Sequence, residues 1–473
     1  MVQDNTPPSA QHSDDYLPLK QAWLAIIPLC TAFFMILLDQ TIVAVATPDI
    51  MTSLGADYNE VIWVTSAFLL TYAVPLLVMG RLGDQFGQKR IFQTGVALFT
   101  IASLCCGLAP TVEMLIIARA LQGLGASMIS PQSLSIITRV FAPESRGPAM
   151  GMWGTVAGLA ALSGPILGGV IVTGLTWHWI FFINVPVGLA CVLMAAKFVP
   201  NLPGVSRSFD IPSIVVSLIA MSLLVFGLQQ GQGADWALWV WLLIIGGIGL
   251  VAVFVWLQAT ASRREVEALV PLRLFANSNF SRGSFSIATM GFAVASNALP
   301  IMIYLQRFEH TSALTAGLLI APMAIVSGLL APLVGKLIGR IRPRVLSMFG
   351  FAMMVAGHIA LWAVMRPDMP LWAIPVASVL LGFGNGCVWA PNSTTTMGNI
   401  ARDVVGAASG VYNTARQVGA VLGSAATAAF IQWREAAGAG SELLGQALLM
   451  QAVILVLGFV AVAGFRPNTS ESP

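Results

Sequence analysis

Residues 23–46 read WLAIIPLCTAFFMILLDQTIVAVA, and Asp39 is the only charge in the stretch. About 20 apolar residues, rising 1.5 Å each in a helix, cross the hydrocarbon core of a bilayer. The stretch is therefore read as a membrane helix. A carboxylate at that depth costs roughly 2.5–3.5 kcal/mol on insertion scales, so such groups normally face a cavity and carry function. Asp39 lies about 24 Å along the helix from Trp23, in its outer half. A structural hydrogen-bonding role with the acid permanently neutral is the plainer alternative. Coupling is the sharper one: desolvation raises a carboxyl pKa and a nearby cation or arriving water lowers it, so the group takes and gives up a proton.

The rest of the chain agrees with a membrane setting. It is 57% hydrophobic and 9% charged, whereas soluble domains carry about 25% charged residues. Apolar runs recur near 22–47, 61–80, 91–109, 112–135, 148–173, 179–199, 211–230, 237–258, 283–306, 313–335, 345–364, 371–395, 406–431 and 445–465. They lack the two-residue alternation of a membrane β-barrel, so fourteen helical spans are expected. Of the 23 Lys and Arg, only Arg307, Arg366 and Arg434 fall opposite the others, with Arg119 and Arg416 inside runs. That bias puts both termini in the cytoplasm. Residues 1–21 read as a polar tail without the basic start of a signal peptide, and 466–473 as a second tail. The net charge of +3 is too small to imply a nucleic-acid partner. No phosphate-binding GxxxxGK[ST] loop occurs, so any pumping would draw on an ion gradient or on a partner. The five cysteines have neither zinc nor redox spacing and read as small buried hydrophobes.

The chain repeats itself. Gly80-Arg-Leu-Gly-Asp-Gln-Phe-Gly-Gln-Lys-Arg90, a loop between the second and third runs, returns as Gly335-Lys-Leu-Ile-Gly-Arg-Ile-Arg-Pro-Arg344, 255 residues later. Gly151, Thr155, Ala161 and Gly164 stand opposite Gly410, Thr414, Ala420 and Gly423, and Pro131-Gln-Ser opposite Pro391-Asn-Ser. The expected architecture is two six-helix bundles, 22–199 and 283–465, with two inserted helices and a linker over 200–282. Such repeats place a substrate site between them and alternate access by rocking. Gly339 replaces Asp84 in the second copy, so the halves are not equivalent.

Several side chains stand out, each with a plainer alternative. In the first loop Gly83 and Gly87 permit close approach, while Arg81, Asp84, Lys89 and Arg90 offer partners for helix ends, making a conformational latch. An ordinary basic loop is the other reading. Arg119 is a permanent cation inside its run and needs an anion or a wet cavity, with Gln122 one turn along on the same face. Gly164, Pro165, Gly168 and Gly169 suit close helix contact and a bend, which packing alone explains. Trp177-His178-Trp179 reads as an interfacial anchor. His358 is a buried core histidine or a proton relay. Trp63, Asn297, Asn413 and Arg416, together with Gln417, are candidates for lining a substrate cavity or for helix packing.

Together these segments resemble the major facilitator superfamily, in its fourteen-helix drug:proton antiporter branch. The resemblance rests on Leu38–Pro48, Gly80–Arg90, Arg119–Gly125, Gly164–Gly169 and Trp177–Gly188 in that order. It departs at Ala44, where Asn is usual, at Thr47, where Leu is usual, and at His178, where Arg is commoner. The likeness implies proton-driven export of amphipathic, cationic drugs or toxic compounds across a bacterial inner membrane, without cofactor or catalysis. Asp39 and Arg119 would couple protons, and Gln122, Trp63, Asn297, Asn413 and Arg416 would meet substrate. Arg81, Gly83, Asp84, Gly87 and Arg90 would form the latch, and Gly164, Pro165, Gly168 and Gly169 the antiporter motif. The second half has no acid within its runs, which points to monocationic, neutral or zwitterionic substrates. Expected partners are small molecules, protons and lipids, with the protein monomeric. The alternatives are a dedicated exporter of a metabolite or lipid, a proton-coupled uptake symporter, and a non-transporting sensor.

Overall fold

The computed structural model describes residues 16–56, 58–202, 210–231, 233–366, 369–436, 440 and 442–466. Of the tail expected over 1–21 only residues 16–21 are described, with helix already from Leu19, and of that over 466–473 only residue 466. The chain is helical in every apolar run. The first half comprises α1 (Leu19–Leu54), α2 (Tyr58–Ala73), α3 (Leu76–Phe86), α4 (Gln88–Gly107), α5 (Val112–Val140), α6 (Pro143–Gly174), the short α7 (Trp179–Phe182) and α8 (Asn184–Phe198). The inserted pair is α9 (Ile211–Gln230) and α10 (Leu238–Thr260), followed by the one-turn α11 (Arg273–Ala276). The second half holds α12 (Ser278–Ser296), α13 (Ala298–Ile303), α14 (Ala313–Leu337), α15 (Pro343–Val364), α16 (Ala373–Met397), α17 (Val405–Ala436) and α18 (Glu442–Ala463).

Among the described residues, 11 helical stretches are long and apolar enough to cross a membrane, or 12 when α2 and α3 are counted as one broken span. The fourteen expected spans are thus met only in part. The runs 148–173 and 406–431 form helices of 32 residues each that fall outside that set. α17 is diluted by Asn413, Arg416, Gln417 and many small residues, and in α6 the side chains of Ala161, Leu162 and Pro165 lie outside the described set. The break between α2 and α3 bends the chain by 47° at Pro75, where the ring removes a backbone donor and crowds the preceding turn.

The expected loop at Gly80–Arg90 is a correction. Helix α3 runs on through Phe86, α4 starts at Gln88, and the turn is Gly87 alone, at φ +93°. Only glycine adopts that backbone without strain. The polar residues that suggested a loop lie on helix faces turned toward other helices: Arg81 and Asp84 are buried.

The duplication is visible in the packing. α4 lies on α5 as α15 lies on α16, α1 on α6 as α12 on α17, and α2 on α5 as α14 on α16. The halves meet where α3 crosses α17 and where α14 crosses α6. At the first crossing a Cβ on Gly80 would overlap the Gly406 carbonyl and come within 2.9 Å of Gly410 Cα; at the second, one on Gly335 would meet Gly147 O at 2.8 Å and Gly151 Cα at 2.9 Å. Residues matched in the two sequence copies thus occupy matching places. The inserted pair packs on itself, and Met221 and Val225 of α9 join Ala73 and Val74 beside Leu70, Val418 and Val421. α10 turns Leu238, Trp241, Leu242, Ile245, Ile248 and Trp256 outward, a surface suited to lipid.

These crossings leave no room for side chains. Gly80→Ala should cost about 1–3 kcal/mol by overpacking and lower the melting temperature of detergent-purified protein. Gly169→Ala, whose Cβ meets nothing within 4 Å, should leave it unchanged. Equal melting temperatures for the two variants would contradict the crossing geometry.

Candidate functional site

α1, α4 and α5 bring Asp39, Ser103, Arg119 and Gln122 into one cluster, and all four side chains are fully buried. Arg119 and Gln122 are one turn apart on α5, so they project together. Arg119 Nη1 pairs with Asp39 Oδ2 and also donates to Gln122 Oε1 at 2.5 Å. Gln122 Nε2 donates to Asp39 Oδ1 at 2.8 Å and to Ser103 Oγ at 2.8 Å. Arg119 Nε donates to the Val64 carbonyl of α2 at 3.1 Å, and its guanidinium lies 4.3 Å from the Phe68 ring centroid. Both oxygens of Asp39 are therefore engaged, one by a cation and one by an amide. Removing one partner of such a pair strands a charge in a medium that cannot solvate it, at a cost of about 3–5 kcal/mol. A proton arriving at Asp39 would cancel its charge and leave Arg119 seeking another anion or water. Asp39, Arg119 and Gln122, grouped on sequence grounds, are thus brought into contact; Ser103 and the Val64 carbonyl were not foreseen.

The latch residues lie at the opposite end of the helices. Asp84 Oδ1 and Oδ2 accept the backbone N–H groups of Gly406 and Ala407, each at 2.8 Å. Those donors belong to the first turn of α17, where N–H groups lack intrahelical partners and the helix dipole favours an anion. Gln88 Nε2 supports Asp84 at 3.2 Å, and Arg139 holds Gln88 at 2.7 Å. Gly83 leaves space for the Gln132 side chain, which donates to the Met79 carbonyl at 2.6 Å. Arg81 pairs with Glu267 in the linker after α10. The same linker sends Arg273 to Asp403, just ahead of α17, at 3.0 Å. Its base is fixed by a two-pronged pair from Arg264 to Asp210, at 3.0 and 2.8 Å. Burial alone would raise the Asp210 carboxyl, but the bonds from Arg264 and Ser213 outweigh it and hold the group below its usual range. The linker therefore straps both halves together at this end. Lys89 caps the Ala196 carbonyl of α8 at 2.8 Å, and Arg90 is exposed. Neither joins Asp84.

Gly164 and Gly168 of α6 face α1: a Cβ on Gly164 would overlap Thr41, and one on Gly168 would stand 3.1 Å from Ile42 and 3.2 Å from Val45. The glycine motif thus seats against the helix that carries Asp39. Gly169 turns away from this contact, and the Pro165 side chain lies outside the described residues.

The cavity candidates scatter. Trp63 leans on Phe226 of α9, rings 5.7 Å apart. Asn297 faces Met323 Sδ at 3.8 Å, and Asn413 bonds back to the Ser409 carbonyl of its own helix at 3.0 Å. Arg416 crosses the divide: its Nη2 donates to Tyr72 Oη of α2 at 3.0 Å, and Tyr72 Oη shares a 2.8 Å hydrogen bond with Ser130. Close by, Ser409 Oγ donates to the Pro131 carbonyl at 2.6 Å. Tyr72 and Ser130 were missed, because isolated hydroxyls in apolar helices carry no pattern. His358 is fully buried with Nδ1 at 2.8 Å from the Met354 carbonyl, as expected of a core histidine. The interfacial anchor needs correcting. Trp177 is 2% exposed and packs with Phe181, while His178 is half-buried and Trp179 exposed.

Comparison with known proteins agrees with this architecture. The model of the Major Facilitator Superfamily matches residues 29–210 and again 210–424, and the chain belongs to that family. It is 46% identical over 418 residues to an uncharacterised MFS-type transporter of Mycobacterium tuberculosis, covering 88% of this chain and 72% of the relative. It is 31% identical over 410 residues to the tetracenomycin C resistance and export protein of Streptomyces glaucescens, covering 85% and 74%. A solved proton:xylose symporter shares the fold at a TM-score of 0.68, with 14% identity and coverage of 95% of this chain and 96% of that one.

If Asp84 holds this end shut, its loss should loosen the contact between α3 and α17. In a background free of the native cysteines, Asp84→Ala should speed maleimide labelling of Ser409→Cys roughly five- to tenfold, since losing a helix cap costs about 1 kcal/mol or more. An unchanged labelling rate would show that the carboxylate does not hold the end closed.

Proposed function

We propose that this transporter exports amphipathic small molecules in exchange for protons, by alternating access in a bacterial inner membrane with both termini cytoplasmic. The observation that carries the reading is the buried Asp39–Arg119 pair. A buried ion pair is often no more stabilising than apolar packing of the same volume, so its presence at this depth favours a role in which the charge changes. With Asp39 ionised, Arg119 Nη1 and Gln122 Nε2 are both aimed at it. Once it is protonated, Arg119 keeps Val64, Gln122 and Phe68 as orienting contacts but has lost its counter-charge, and that imbalance drives the rearrangement. The proton gradient supplies the energy, no cofactor is required, and a monomer contains every part.

Direction is supported by two features. The relative from Streptomyces glaucescens is named for resistance and export. The glycine motif of α6 lies directly against α1 near Asp39, a tight seam within the first half that leaves little room for water beside the acid. In the conformation observed, the end bearing Asp84 is closed by α17, the glycine crossings and the linker ion pairs. A proton entering from the other side would reach Asp39 first; rocking then opens the Asp84 end, and the proton leaves as substrate loads. The cationic substrate expected from the sequence has little support in this geometry, because Asp39, the carboxylate deepest within the described spans, is already committed to Arg119.

Reconstitution tests the proposal. Asp39→Asn should insert and fold, yet lose at least about 90% of pH-gradient-driven flux in proteoliposomes while retaining exchange of substrate across equal pH. Arg119→Met alone should be destabilised by about 3–5 kcal/mol, and the double variant with Asp39→Asn should recover most of that loss. Undiminished gradient-driven flux in Asp39→Asn would remove Asp39 from the coupling.

A further inference from the structure

Arg416 is a second intramembrane cation, and nothing in the coupling cluster uses it. It stands about 17 Å along α17 from the end that Asp84 caps, well within the thickness of the hydrocarbon layer. Guanidinium stays charged at any relevant pH, so at that depth it requires either an anion or access to water. Among the described residues no carboxylate lies within ion-pair distance of it. Asp39 is the only acid deep within a spanning helix, and Arg119 occupies it. The side chain is only partly buried, although α12, α3, α5, α9 and α2 all pack on α17. Part of the Arg416 side chain is therefore reachable, while its partner Tyr72 is buried.

Its immediate partners are neutral: Tyr72 Oη at 3.0 Å, itself bonded to Ser130, with Tyr412 and Asn413 beside it on α17. Hydroxyls orient a guanidinium without neutralising it. The Phe68 ring, 5.9 Å from the Tyr72 ring, adds an apolar wall, and its face also meets Arg119. The assembly is a positively charged point at mid-depth, between the halves, flanked by aromatic surface.

We propose that Arg416, oriented by Tyr72, receives a negatively charged group, a carboxylate, phenolate or enolate, on an amphipathic substrate. The inference relies on the export reading for the direction of transport only. It also fixes the charge moved per cycle. One proton inward against one monoanion outward carries two positive charges inward, so a negative interior drives the exchange. A cation leaving against a single proton would move none.

Two dyes on one xanthene core, fluorescein as anion and pyronin Y as cation, separate the outcomes. Purified wild-type protein should bind fluorescein at least tenfold more tightly than pyronin Y. Arg416→Gln should abolish that preference, Arg416→Lys should keep part of it, and Tyr72→Phe should weaken fluorescein binding severalfold. In proteoliposomes, a potassium-diffusion potential, negative on the side from which dye departs, should accelerate fluorescein flux at equal pH. Tighter binding of pyronin Y, no measurable fluorescein binding, or fluorescein binding untouched by Arg416→Gln overturns the proposal. Should pyronin Y move in exchange for protons while Arg416→Gln changes nothing, proton-driven export stands and the anion site falls. Should fluorescein bind through Arg416 but ignore any pH gradient, the anion site stands and the export reading falls.

Discussion

The structure depends on a buried ion pair that water does not reach. Asp39 on α1 and Arg119 on α5 have no exposure, so each charge tolerates its surroundings only through the other. That constraint fixes α1 against α5 and orders Gln122 and Ser103 around the carboxylate. It also makes the fold sensitive to a single proton. A surface pair would be screened and almost indifferent to such an event; in a low-dielectric interior the same event rearranges the partners. The coupling proposed here follows from that sensitivity rather than from any unusual chemistry of the carboxylate.

A second constraint acts at a distance from the first. The halves touch through glycine-lined crossings, Gly80 on Gly406 and Gly410, and Gly335 on Gly147 and Gly151. Backbones this close form a smooth contact without interlocking side chains, which suits surfaces that rotate against one another. Directional bonds across the divide are few and specific: Asp84 to α17, Ser409 to Pro131, Arg416 to Tyr72, and the ion pairs of the linker. The inserted helices, whose purpose is not evident from the sequence, deliver that linker to both halves.

The legible parts of the sequence were those with no cheap alternative. A lone carboxylate and a lone guanidinium in apolar runs had to find each other or water, and Asp39 and Arg119 did. The duplication was equally readable, because glycines recurring at fixed offsets mark where backbones must approach. The Gly80–Arg90 segment misled because polarity was equated with solvent. Asp84 in fact serves the other half of the protein and Arg81 the linker, which only the tertiary packing reveals. Trp177 misled for the converse reason: an indole near a membrane boundary suits an anchor and a core equally, and no local signal separates them. Tyr72 and Ser130 were invisible, since their importance comes from Arg416, more than 280 residues away in the sequence. α17 gives the weakest hydrophobic signal for a related reason: it is largely enclosed by neighbours, and its polar groups serve the divide between the halves.

The two crossings are copies in backbone but not in strength. Where Asp84 meets unsatisfied N–H groups at the start of α17, the equivalent place across the pseudo-axis offers Gly339 in place of the acid and Pro148 in place of the Ala407 donor. Proline has no hydrogen to give, and α6 begins four residues before Gly147, so even that N–H is spent inside its own helix. One seam is bolted and the other merely rests. Separating α3 from α17 must break two charge-assisted hydrogen bonds that separating α14 from α6 does not.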